Sequence, residues 1–181
     1  MTIKQAVGTH SELLTGTFRD RDSAEAAYEA LVRRGYNAKE INVLMSEDTR
    51  KRHFTTSTET TELGTKAAAG GLAGATVGGT VGAIAAALAV AGTLAIPGLG
   101  IVLAGPLAAG LAGLGAGAAT GGIIGGLIGA GIPEERAKLY KTDIDNGGIV
   151  VGVRPRTSDD ATYFQNEWKG KGEVRLPMQG E

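Results

Sequence analysis

Apolar residues alternate with their neighbours from Leu13 to Phe18 and again from Ile41 to Met45, the two-residue period of β-strands. Between them Ala24, Ala27, Leu31 and Val32 recur at helical spacing. Asp20, Asp22 and Ser23 supply candidate N-caps for that helix, and Arg33, Arg34 and Gly35 supply a basic last turn and a glycine stop. The pattern predicts a strand-helix-strand unit. Near the other end, Pro133 opens a helix with Glu134 and Glu135 in its first turn and Ala137, Tyr140 and Ile144 along one face, closed by Asn146, Gly147 and Gly148. Ile149, Val150, Val151 and Val153 form an almost continuous apolar run, as expected of a central strand covered on both faces. Ser158, Asp159 and Asp160 begin a helix that turns Ala161, Phe164 and Trp168 inward, and the turn at Gly170, Lys171 and Gly172 leads into a strand from Glu173 to Leu176.

Two such units predict an α+β fold, a ferredoxin-like split βαβ-βαβ sandwich whose two crossover helices share one sheet face. The expected division is residues 1–46 for the first half, 47–66 for a polar linker or frayed helix start, 67–132 for a hydrophobic insertion, 133–147 for a connecting helix and 148–181 for the second half.

The insertion has no charged residue in 66 positions: twenty are Gly, twenty Ala, twenty Leu, Ile or Val, four Thr and two Pro. Its glycines fall four apart, at Gly70, Gly74, Gly78 and Gly82 and at Gly113, Gly117, Gly121, Gly125 and Gly129. On a helix that spacing makes a groove through which backbones approach closely. Glycine costs a soluble helix about 0.5 to 1 kcal/mol relative to alanine, so the rows call for a packing gain. They predict a glycine-zipper helical hairpin. Pro97 ends its first arm, and Pro106 suits the first turn of the second.

Composition narrows the function. A net charge of −1, with one Trp, three Phe and four Tyr, provides neither a basic footprint nor a stacking platform for nucleic acid. The absence of cysteine removes disulfide, thiolate-metal and thiol chemistry. No apolar run suited to a cleaved signal peptide is expected in Met1 to Asp20. His10 and His53 have no second ligand at metal spacing, and despite 30 glycines there is no phosphate-cradling glycine motif. Neighbouring Glu134 and Glu135 do not face each other on a helix and read as dipole complements. No catalytic, cofactor or metal residue and no small-molecule substrate is therefore expected. The cluster Arg50, Lys51 and Arg52 reads either as a contact to anionic lipid or as a solvated linker.

The order of elements, with Ile96, Pro97, Gly98, Leu99 and Gly100 in the tract, then Gly131, Ile132, Pro133, Glu134, Glu135, Ala137 and Tyr140, then Gly147 and Gly148 before a Val-rich strand, resembles bacterial general-stress or heat-induced stress proteins with a glycine-zipper insertion. The likeness spans most of Leu13 to Leu176. One departure is Arg136 and Lys138 around Ala137, where an acidic run is more typical. The resemblance implies a non-enzymatic, stress-associated role and brings no catalytic residues.

Sixty-six uncharged residues suffice for two bilayer crossings of about 20 residues each and a turn. Lys66 on one side and Arg136, Lys138 and Lys141 on the other would lie on the cytoplasmic face. The first expectation is therefore a homo-oligomer with the hairpin in the inner membrane and the polar domain in the cytoplasm. Forty Gly and Ala residues leave little apolar area to drive insertion, and no aromatic belt flanks the tract. The alternative is a soluble particle or filament that buries the hairpins in its own core. An ion channel or transporter is the weakest reading, since Thr76, Thr80, Thr93 and Thr120 are the tract's only polar side chains.

Overall fold

A computed structural model describes residues 13–54, 82–90, 93–96, 100–113, 122–129 and 132–175. Among the described residues the fold is mixed α/β, with one six-stranded antiparallel sheet and seven helices. The strands are β1 (Leu14–Phe18), β2 (Ile41–Ser46), β3 (Thr93–Ile96), β4 (Ile101–Ala104), β5 (Ile149–Val153) and β6 (Glu173–Arg175). The helices are α1 (Arg21–Arg33), α2 (Glu47–Phe54), α3 (Ala83–Val90), α4 (Pro106–Gly113), α5 (Gly122–Gly129), α6 (Glu134–Asp145) and α7 (Ser158–Trp168).

The strand order is β3-β4-β2-β5-β1-β6. Strand β5 lies between β2 and β1, with Val151 opposite Val43 on one side and Gly16 on the other. All five of its residues are buried. This is the continuous apolar run expected of a strand covered on both faces. Period-two alternation then divides the sheet between two cores. Val43, Met45, Val102, Ala104, Ile149, Val151 and Val153 join α1, α3 and α7 in one cluster. Leu44, Ile101, Leu103 and Val150 join α4, α5 and α6 in the other.

Local signals place the outer elements. Asp20 caps α1 by accepting the Ser23 amide at 2.8 Å, and that bond holds its carboxyl below the usual range. Helix α7 begins at Ser158, and its cap is Thr157, which accepts the Asp160 amide at 3.1 Å. Phe164 and Trp168 are fully buried and stacked, with Phe18 meeting Trp168 edge-on. Across the sheet, α6 is fastened to β1: Tyr140 Oη lies 2.7 Å from Thr15 Oγ1, and Thr17 donates to Asp143 at 3.0 Å. Asp143 also pairs with Arg175 on β6. Arg136 is buried on this helix and donates to the Leu13 carbonyl at 3.3 Å.

Two expectations change. The start of the segment read as a polar linker or frayed helix start, residues 47–66, is the regular helix α2 through Phe54, with acids in its first turn and bases in its last. Residues 55–66 lie outside the described residues. The centre of the tract, read as the turn of a helical hairpin, is instead a β-hairpin. β4 pairs with β2, so that Leu103 lies opposite Leu44, and β3 pairs with β4. The physical cause is that Thr93–Ile96 and Ile101–Ala104 are rich in β-branched and Leu residues, and the edge of β2 leaves a ladder to complete. The described helices of the tract have eight residues each. At about 1.5 Å per residue each spans about 12 Å, against about 30 Å of bilayer hydrocarbon. Among the described residues no helix is long and apolar enough to cross a membrane.

Gly105, between β4 and α4, has φ 87°, and a Cβ there would fall on the Ile41 carbonyl. Gly105→Ala is expected to destabilise the fold by roughly 1 to 3 kcal/mol, the cost of backbone strain at such a position. Thermal unfolding followed through Trp168 fluorescence measures it.

Candidate functional site

An α-helix leaves its first N–H groups without partners inside the helix, and Ser, Thr, Asp or Asn ordinarily caps them. Between Lys66 and Glu134 the only such side chains are four threonines, and neither α3 nor α4 begins directly after one. Both helices take their polar contact from the domain instead, one on each face of the sheet.

On the first face, Glu25 of α1 accepts the Ile84 amide through Oε2 at 2.9 Å. Gly82 makes room for it, since a Cβ there would fall inside the carboxylate. The second oxygen, Oε1, is buried without a hydrogen bond, with Arg21 Nε 3.7 Å away. Burial pushes the Glu25 carboxyl up and Glu29 adds to the rise, while the Ile84 amide and Arg21 oppose it. Behind this contact Ile84, Ala87 and Leu88 enter the same core as Tyr28, Leu31 and Phe54.

On the second face, Asn42 of β2 is buried and accepts the Leu107 amide at 2.8 Å. Pro106 fills the first position of α4, where a missing N–H costs nothing. The Ala108 and Ala109 amides turn back to the Gly105 carbonyl at 3.0 and 3.3 Å. Beside this cap lies an open cavity of about 330 Å³ lined by Lys39, Glu40, Asn42 and Arg154 among others. Glu40 there is engaged by Arg156 at 2.7 Å and by the Asn37 amide.

A third polar cluster clamps α1 to α7. Arg34 donates to Asp160 at 2.7 Å, and the Tyr36 hydroxyl donates to Asp160 at 2.8 Å while accepting the Arg156 amide at 2.7 Å. The Arg34 bond holds the Asp160 carboxyl below its usual range, and burial raises the Tyr36 hydroxyl. The Arg156 guanidinium lies 4.2 Å from the centre of the Tyr36 ring. These groups are matched to one another, which makes the cluster a fastening. Among the described residues no group of three His, Asp or Glu side chains could hold a metal ion.

Of the residues expected to mediate self-association, those among the described residues lie on separate elements. Gly82 precedes α3 against Glu25, Gly113 ends α4, and Gly125 and Gly129 lie on α5, where a Cβ at Gly125 would meet nothing within 4 Å. Gly70, Gly74, Gly78, Gly117 and Gly121 lie outside the described residues. Of the candidate lipid contacts, Lys51 pairs with Glu47 at 3.0 Å and Arg52 donates to the Asp48 carbonyl at 3.3 Å, both within α2, which also carries Arg50. His53 lies on the same helix beside Phe54.

Glu25 and Asn42 were not evident as site residues. Asn42 does stand out in retrospect as the amide inside the apolar strand from Ile41 to Met45. Glu25 lies beside the apolar stripe of α1, and periodicity alone assigns it to the solvated face.

The chain matches no protein-family model, no curated protein and no solved structure. The reading of this seam therefore rests on its geometry.

Replacing Asn42 by Leu is expected to leave the Leu107 amide unpaired and to cost roughly 1 to 3 kcal/mol, the penalty for a buried donor without an acceptor. Denaturant unfolding of the variant against the native chain gives the value.

Proposed function

We propose that this protein is a non-enzymatic structural module that assembles with copies of itself, and that its uncharged tract forms the assembly surface. The stress-associated setting is the one its family resemblance implies. The observation that carries the reading is the contrast between the two edges of the sheet. Among the described residues strand β3, Thr93–Ile96, ends the sheet without a charged side chain, with Leu94 half-buried and Ala95 exposed. Edge strands in isolated proteins are usually blunted by charge, and β6 at the opposite edge carries Glu173 and Arg175. An uncharged edge can pair antiparallel with the same edge of a second copy without like-charge repulsion. Exposed Ile128 on α5 and Leu139 on α6 add further apolar surface.

The finer topology we propose is ferredoxin-like. Support comes from the order β2-β5-β1-β6 and from α1 and α7 lying on one face, with the β3–β4 hairpin extending the sheet beyond β2. In this reading glycine is used for close backbone approach to the domain as well as between helices.

A second reading places the tract in the inner membrane with the polar domain on the cytoplasmic side. It is favoured by the charge-free length of 66 residues. It requires Ile84, Leu88, Leu107 and Leu127 to leave the cores they occupy, and Glu25 and Asn42 to give up their helix amides. We favour self-assembly for that reason.

Light scattering on the full chain without detergent tests the proposal. A mass of two or more copies is expected for the native chain, and a lower mass for Ala95→Lys with Trp168 fluorescence unchanged. An assembly mass untouched by Ala95→Lys would contradict the β3 edge, and a native chain recovered only with vesicles would favour the membrane reading.

A further inference from the structure

We propose that Glu25 and Gly82 form a proton-sensitive latch that helps to fasten helix α3 to helix α1. Four observations meet at this contact. The carboxylate takes the Ile84 amide at 2.9 Å, at the first turn of a helix that begins at Ala83. Gly82 leaves the space that the carboxylate occupies. The second oxygen is buried without a hydrogen bond. The helix itself, from Ala83 to Val90, consists only of Ala, Ile, Leu and Val, so its own side chains can add no polar contact to the attachment.

An ionised carboxylate suits a helix N-terminus, but burying a charge is costly when one oxygen accepts no hydrogen bond and meets its counter-charge, Arg21, only at 3.7 Å. Protonation removes that cost, and the neutral group keeps an oxygen to accept the Ile84 amide. The cost dominates here, since burial is the largest influence on the group and raises its pKa. The sign follows directly. With α3 docked, Glu25 holds its proton more tightly than with α3 released and the carboxyl in water. Docking is therefore strongest below the ordinary glutamate pKa, weakens as pH rises through the raised value, and is level above it.

Among the described residues, Arg21 and Glu29 are the charged groups that act on Glu25. On α1, Arg21 lies 3.7 Å from Oε1 and favours the ionised form, while Glu29 disfavours it. Tyr28 is buried beside them, and burial and Glu25 both raise its hydroxyl. From α2 comes the Phe54 ring, 5.6 Å from the Arg21 guanidinium. Strands β1 and β5 and helix α3 carry no ionisable side chain. The charges that α7 presents to α1 meet Arg33 and Arg34, at its far end.

The test is an NMR pH titration of the full chain, reading the Ile84 amide shift together with hydrogen-exchange protection factors across Ala83–Val90, corrected for the intrinsic pH dependence of exchange. The Ile84 amide is expected to titrate with a midpoint above the roughly 4.3 of a solvated glutamate. Protection of α3 is expected to fall through the same midpoint, by about tenfold for each unit of the rise. In Glu25→Gln the Ile84 titration disappears and protection stays at its acid level. Arg21→Gln is expected to move the midpoint up and Glu29→Gln to move it down. An Ile84 midpoint at the ordinary value, or the same pH profile of protection in Glu25→Gln, would overturn the latch.

Discussion

Sixty-six residues without a charge can form helices, but they cannot finish them. The first N–H groups of a helix need acceptors, and this tract has four threonines to offer. The structure answers by placing acceptors on the domain: Glu25 on one face of the sheet for α3, and Asn42 on the other face for α4. Everything distinctive in the arrangement follows from these two contacts. The tract has to come close enough to the domain to be capped, and glycines stand where its backbone makes that approach, at Gly82 against a carboxylate and at Gly105 against the Ile41 carbonyl.

Once the helices are brought to the domain, burial adds to the contact. Alternation along β2, β4 and β5 presents an apolar row to each side. A four-stranded sheet with α1 and α7 on one face alone would leave Leu44 and Val150 open to water on the other. Helices α4 and α5 of the tract cover that face together with α6, and α3 extends the first core towards Phe54. At about 25 cal/mol per Å² of apolar area, shared burial of this kind outweighs one capping bond, whose net worth is about 1 kcal/mol. The caps therefore select where each helix docks, and burial holds it there.

Much of the sheet and its flanking helices was legible along the chain. Alternation marked β1 and β2, a near-continuous apolar run marked β5, and Asp20, Pro133 and Gly147 marked helix ends that are observed near those positions. The tract was harder to read, for a physical reason. Ala and Gly suit a helix groove, while Leu, Ile and Val suit either a buried helix or a strand, so short runs such as Leu94 to Ile96 and Ile101 to Leu103 carry no period of their own. Their state was decided by the open ladder of β2, which pairs Ser46 with Ile101 and Val43 with Ala104 across a long stretch of sequence. The caps were hidden for a related reason. Periodicity sorts residues into buried and solvated, and Glu25 and Asn42 are polar groups used in buried places.

The central claim is that the described elements of the tract belong to the core of the domain. Native-state hydrogen exchange at rising denaturant tests it most directly, by comparing β4 with β5. If the tract is part of the core, the amides of Ile101–Ala104 and Ile149–Val153 converge on one unfolding free energy and one dependence on denaturant. Exchange of β4 through a separate, much cheaper opening, with β5 still protected, would contradict the account.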